Sequence, residues 1–295
     1  MRPSPRNSSL FARALRRTGA RRAIVVCTLP LLLAPMAGCA TEKRALSAAE
    51  FQRNAEAAYN AALETFYDRD WISVPVVMEE VKKEYAGTRF ARLAQLRIAD
   101  AQFHQGNYAE SITAYREFLR DFPNDPEVPY ARYRVVLCHF QARGESSMSP
   151  PLEERDLVNV RDADEAITSF LKDYPAYPKR EDLLYMHLWV RGMLARHELY
   201  VARYYLNRDN FEAALSRAEY ALRNFRETGL EPEALVLLGE TQMRRGERSA
   251  AKAAFEQVLN HYPASPFVIP ARNFIAEIER DPLGPKTATP TTPHY

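Results

Sequence analysis

From Leu183 to Phe225 apolar residues recur at intervals of three and four, and the polar tetrad Asn207-Arg208-Asp209-Asn210 interrupts them once. That spacing is the period of a helix with one buried face, so the stretch predicts two helices joined by a tight turn. Small Ala202 and Ala214 stand where two such helices approach closely, and Phe225 closes the hairpin. One hairpin cannot bury its own apolar face and has to stack on others.

The same pattern lies on both sides. Trp71 and Tyr108 open the second helices of the first two units, 37 residues apart, and Tyr85, Phe122, Tyr174, Phe225 and Tyr262 close successive units at separations of 37, 52, 51 and 37. A tetratricopeptide (TPR) unit has about 34 residues, so two of these separations are one unit plus a short extension. Ala99, Gly106, Tyr108, Tyr115 and Pro123 fall on TPR consensus positions in the second unit, as do Gly239, Gly246, Ala251, Phe255 and Pro263 in the fifth. The small residue permits close helix crossing, Gly ends the first helix and Pro ends the second. The prediction is an all-α, TPR-like superhelical solenoid of about five helical hairpins with a C-terminal capping helix. It covers 47–279, in units of about 47–87, 88–125, 126–177, 178–228 and 229–265, with the cap at 266–279. The third unit is split, with a first helix over about 128–143 and a second over about 163–174. Between them the insertion 144–161 is polar and Pro-broken, which reads as a loop or short irregular helix. The Pro/Thr-rich tail 280–295 is expected to be disordered.

Charge and composition change the picture mainly at the start of the chain. Residues 1–38 hold seven Arg and no acid, and 23–38 are apolar but Pro-broken and short for a membrane span of roughly 20 residues. Basic segment, apolar segment and small residues together predict a secretory signal peptide over 1–38. Met36-Ala37-Gly38-Cys39 resembles a bacterial lipobox, in which the Cys39 thiol receives a diacylglycerol and the new N-terminus is acylated. Several buried acyl chains, at about 0.8 kcal/mol per CH₂, anchor firmly to a lipid bilayer. Residues 39–46 are then the lipidated Cys and a tether spanning under about 30 Å. Without residues 1–38 the chain has 33 basic and 38 acidic side chains, a balance that gives nucleic acid no footprint. Cys138 is left as an isolated thiol on a predicted helix, best read as a small buried hydrophobe.

No catalytic constellation is present. His197-Glu198 lacks the second His of a zinc helix, and no Cys-x-x-Cys, P-loop or Gly-x-Ser-x-Gly occurs. His104, His139, His187, His197 and His261 are scattered and read as surface or partly packed helix residues, so no metal and no cofactor is expected. A TPR array offers a concave groove lined by first helices. By register the inward positions are Tyr59, Leu63, Phe66 and Tyr67 of the first unit and Leu96, Asp100 and Phe103 of the second. Such aromatic density suits a peptide with apolar or aromatic anchors, although several of these residues could instead pack between helices.

The wording HELYVARYY at His197–Tyr205, followed by AALSRAEYALRNF, resembles the BamD family, TPR lipoproteins of the outer-membrane β-barrel assembly machinery. An insertion in the third unit ending at Arg161-Asp162 also matches relatives. The resemblance implies a non-enzymatic scaffold anchored to the outer membrane through Cys39 and facing the periplasm. Its partners would be a BamA-like β-barrel protein with POTRA domains, other assembly-machinery lipoproteins and unfolded outer-membrane proteins. Client contact would fall to Tyr59, Phe66, Tyr67 and Phe103. Arg217, with Glu198 and Arg203 of the signature hairpin, would serve the partner interface, Arg offering an orientable bidentate contact that Lys cannot. A plainer role for Arg217 is a surface ion pair with Glu212 or Glu219. Departures are Ala86 and Arg226, where Pro commonly closes a unit, and Trp71 with Val74-Pro75, an unusual start for a second helix. Another envelope adaptor, for peptidoglycan synthesis or polysaccharide export, is the alternative.

Overall fold

The computed structural model describes residues 46–143 and 151–281. The signal segment, Cys39, residues 144–150 of the insertion and nearly all of the tail lie outside them. Eleven α-helices occupy the described residues: α1 (Ala48–Tyr67), α2 (Val74–Glu84), α3 (Arg89–His104), α4 (Tyr108–Asp121), α5 (Val128–Gln141), α6 (Val158–Asp173), α7 (Arg180–Leu206), α8 (Phe211–Asn224), α9 (Glu231–Arg245), α10 (Arg248–His261) and α11 (Val268–Arg280). Each packs on the next, giving five hairpins and a closing helix. The protein is a TPR-like solenoid.

The first helix starts on a capping box: the Ser47 hydroxyl accepts the Glu50 N–H at 3.3 Å, and the Glu50 carboxylate accepts the Ser47 N–H at 2.9 Å. Two otherwise orphaned donors are satisfied reciprocally. Ser47→Ala is therefore expected to raise amide hydrogen exchange several-fold in the first turn of α1, with α3–α11 unchanged. Uniform change along the chain would sink that expectation.

Four hairpin turns share one geometry. The first helix of the hairpin ends, one residue takes positive φ, and the next N–H reaches back five residues: Asp70 to the Thr65 carbonyl, Asn107 to Gln102, Asn210 to Tyr205 and Glu247 to Gln242. Gly106 and Gly246 supply the left-handed residue as expected, at φ of 79° and 90°. In the first and fourth hairpins it is Arg69 and Asp209, at 61° and 55°. A side chain in that region costs about 1–2 kcal/mol, which the flanking helix packing has to offset.

Some element boundaries differ from expectation. Trp71 does not open α2; it sits in the turn before it, stacked on His104 with centroids 4.2 Å apart, and Pro75 stands in the first turn of α2, where its missing N–H is harmless. The second helix of the third unit begins at Val158 rather than Ala163, because Leu157 and Val160 are buried and extend its apolar face into the insertion. A 3-10 turn, Leu152–Glu154, precedes it.

The core is a series of local clusters, as stacking of neighbours requires. α7, at 27 residues, joins two of them: Leu183, Val190 and Leu194 belong to one, while Leu199, Ala202 and Leu206 face Ala214 and Ala218 of α8 in the next. Ala202 and Ala214 are fully buried at that crossing. Cys138 is a free, buried thiol whose pKa is raised by burial, and it donates to Ser111 Oγ at 3.4 Å. Among the described residues no helix is long and apolar enough to cross a membrane, and no group of three or more His, Cys, Asp or Glu could hold a metal ion.

Candidate functional site

Two regions carry the side chains singled out by sequence. The first is the face where α1, α3 and α5 meet. Phe66 and Phe103 are half-buried there, Leu63 likewise, and Tyr67 is exposed. Three other expected groove residues are not on the surface. Leu96 is wholly buried among Ala99, Ile112 and Phe118, and Tyr59 packs on Phe90 in the cluster below. Both large apolar side chains gain more by filling the space between helices than by facing solvent.

Asp100 is the third correction. It is 1% exposed and tied up inside the protein. Its Oδ1 accepts the hydroxyls of Tyr115 and Tyr130, the latter at 2.6 Å, and lies 3.2 Å from Arg134 Nε. Its Oδ2 faces Arg97 Nη1 at 2.8 Å, an ion pair without hydrogen-bond alignment. Arg134 Nε also donates to the Tyr115 hydroxyl at 2.9 Å. Burial, reinforced by the Asp100 charge, pushes both tyrosine pKa values up, so the phenols stay neutral donors. The guanidiniums lie against rings: Arg97 is 5.4 Å from the Phe66 centroid and 5.5 Å from that of Tyr130, and Arg134 is 4.1 Å from that of Phe103. Sequence reasoning missed Arg97, Tyr130 and Arg134. The Arg97–Asp100 spacing of three was readable as a helical pair. Nothing in the pattern says that Arg134, on another hairpin, completes it.

The second region is the HELYVARYY hairpin. Alternate functions fall on successive residues because a helix turns about 100° per residue. His197 Nδ1 donates to the Glu153 carbonyl at 2.7 Å, fastening the 3-10 turn of the insertion onto α7. Glu198, 8% exposed, accepts Arg217 Nη1 of α8 at 3.0 Å. Leu199 and Ala202 are core. Arg203 pairs with Glu233 of α9 at 2.9 Å. Tyr200 and Tyr204 point out, and the Arg208 guanidinium lies 3.6 Å from the Tyr204 centroid.

Arg217 therefore pairs across the hairpin, and its nearer candidates are occupied elsewhere: Glu212 by Arg245 and Glu219 by Arg223, each at 3.0 Å. Its side chain remains 45% exposed while Glu198 holds one edge. Beside this pair is a cavity of about 280 Å³ lined by Arg161, His197, Glu198, Tyr220, Asn224 and Phe225 among others. The end of the insertion and the signature hairpin thus share one surface.

Residues 51–257 match the YfiO family, described as outer membrane lipoprotein. The chain belongs to the YfiO family. Among curated relatives, the outer membrane protein assembly factor BamD of Caulobacter vibrioides is 24% identical over 231 residues, spanning 78% of this chain and 73% of its own. The factor of the same name from Neisseria gonorrhoeae is 25% identical over 250 residues, spanning 83% and 93%. A thermophilic TPR protein from Thermus thermophilus is a solved structure that aligns over 75% of this chain and 99% of its own, at 13% identity and a TM-score of 0.35. The YfiO match runs from α1 into α10, and so takes in both the Asp100 cluster and the Arg217–Glu198 pair.

Proposed function

We propose that this YfiO family member is a non-enzymatic scaffold of outer-membrane β-barrel assembly. It is anchored to the outer membrane through acylated Cys39 and faces the periplasm. The α7–α8 surface binds the POTRA domains of a BamA-like barrel protein, and the α1–α3 face receives unfolded outer-membrane proteins through Phe66, Tyr67 and Phe103. The observation that carries the reading is the Arg217–Glu198 pair. A buried carboxylate holds one edge of a guanidinium whose other edge is open, which pre-orients it for an acidic partner at little further entropic cost. Arg203, held by Glu233, is a second oriented cation on α7, five residues on from Glu198.

The test is affinity purification of the full-length tagged lipoprotein from its native envelope in mild detergent, followed by mass spectrometry, with Arg217→Glu beside it. Wild type is expected to recover a POTRA-bearing barrel protein. The variant, which sets two carboxylates against each other where an ion pair stood, is expected to lose at least about 90% of it, the effect of a binding loss near 1.4 kcal/mol. Recovery of cell-wall or export enzymes and no such barrel protein would sink the assembly reading.

A further inference from the structure

We propose that the turn between α1 and α2 dips into the surface of the bilayer that holds the acyl chains, with Ile72 and Val76 among lipid and Trp71 at headgroup level. The inference goes beyond the scaffold reading and rests on its lipid anchor at Cys39. Among the described residues, three of the five most exposed large apolar side chains lie between Tyr67 and Val76: Tyr67, Ile72 and Val76, at 67%, 80% and 62%. Single apolar residues scattered over a surface need no explanation, but a cluster of them marks contact with a partner or a membrane.

The backbone groups them. Ser73 and Val74 N–H both donate to the Asp70 carbonyl, at 3.1 and 3.0 Å, so the chain is already wound before α2 begins, and Ile72 and Val76, four apart, share one side. The Asp70 carboxylate also accepts the Ser73 N–H, at 3.1 Å. The turn thus carries its own hydrogen bonds, which apolar surroundings demand of any backbone that enters them. Trp71 forms a fixed base: its ring lies 5.2 Å from that of Phe66 and 4.2 Å from that of His104, and its carbonyl accepts Gln105 Nε2 at 2.7 Å. Tryptophan and tyrosine favour the headgroup layer, where one end of the ring is apolar and the other wet. Glu80, one turn past Val76, is exposed, and with Asp68, Arg69 and Asp70 on the other flank it limits entry to the tip.

A bilayer is the occupant that fits, for two reasons. The side chains protrude, and a fluid surface closes around a protrusion where a folded partner would need a matching cavity. The chain also keeps the bilayer near. From Cys39 the tether lets Ser47 stand at most about 30 Å from the membrane. The 20 residues of α1 put the turn about 30 Å from Ser47, so it reaches the bilayer whether α1 lies flat or stands upright. Charge at the turn is one Arg against two Asp, so attraction to anionic lipid plays no part. The contact holds the α1–α3 face, with Phe66 and Tyr67 on its rim, beside the membrane.

The chain has two tryptophans, so Trp189→Phe leaves Trp71 as the only one. The full-length lipoprotein carrying that change is reconstituted into vesicles of phosphatidylcholine, plain or brominated near the top of the acyl chains, and floated on a gradient. Bromine quenches an indole that it touches. Trp71 emission in the floated protein is expected to fall at least about twofold in the brominated vesicles, and equally from about 0.05 to about 0.5 M salt, as apolar contact requires. Ile72→Glu with Val76→Glu, both at exposed positions, is expected to float and melt as before and to lose most of the quenching. A floated protein whose Trp71 is not quenched overturns the inference and leaves the anchor standing. So does quenching that survives the two Glu substitutions. Quenching removed by salt also overturns it, since charged headgroups are then what the turn meets. A protein that does not float overturns the anchor at Cys39 and this inference with it.

Discussion

Asp100→Ala is expected to destabilise the N-terminal hairpins by about 3–5 kcal/mol, the usual result of removing one member of a buried ion pair. The carboxylate is 1% exposed, and its loss strands two guanidiniums that lie 12% and 21% exposed on opposite sides of it. Two buried phenols lose their acceptor at the same time. Asp100→Asn keeps an acceptor for the phenols but not the charge, and should fall between wild type and Ala. Replacing the whole set, with Arg97→Met, Asp100→Leu, Arg134→Met, Tyr115→Phe and Tyr130→Phe together, should recover most of the loss, because an apolar cluster of similar volume owes no desolvation. Urea midpoints of the four proteins decide it. A loss below about 1 kcal/mol for Asp100→Ala would mean that the cluster behaves as a solvated surface pair.

This cluster also marks the limit of what sequence could tell. Its members come from α3, α4 and α5, and residue periodicity places a side chain on a face without saying which face of another hairpin it meets. Asp100 reads as a groove residue because its register position in a TPR unit points inward. It is buried because Tyr115, Tyr130 and Arg134 close over it from the next two helices. Leu96 and Tyr59 differ from expectation for a simpler reason: inward positions near a helix crossing are filled by whichever apolar group is large enough.

By contrast, the repeat of helical hairpins was legible, though not where α2 and α6 begin. Spacing of small residues, Gly at two turns and closing aromatics are local signals, and a solenoid is built from local contacts. Where the signal was absent, at Arg69 and Asp209, the turn formed anyway, since neighbouring helices dictate the backbone. On the signature hairpin, the residue types were visible but their pairing was not. Arg217 reaches Glu198 across the hairpin rather than a neighbour one turn along its own helix, a contact that only the α7–α8 crossing determines.

The second large effect is expected at the other end of the stack, where Gly239 of α9 meets Phe255 of α10. A Cβ at Gly239 would lie 2.6 Å from two atoms of the Phe255 ring. That ring cannot retreat: Phe255 is fully buried and stacked on Phe274 of α11, with centroids 4.9 Å apart and planes 11° from parallel. Gly239→Ala gains about 1 kcal/mol of helix propensity and forfeits about 1–3 kcal/mol to overpacking, leaving a modest loss. Gly239→Leu has no such compensation for its further carbons and should cost about 3 kcal/mol or more. Phe255→Ala should cost about 3–5 kcal/mol by opening the void. Combined, the two should be less damaging than their sum by about 1–3 kcal/mol, because leucine enters the space the ring leaves. Strict additivity would mean that the two side chains do not share that space. Since each hairpin contacts only its neighbours, hydrogen exchange in the single variants should rise mainly in α9–α11 and leave the amides around Asp100 protected. Loss of protection at both ends together would show that the array unfolds as one unit, and that its two ends cannot be weakened separately.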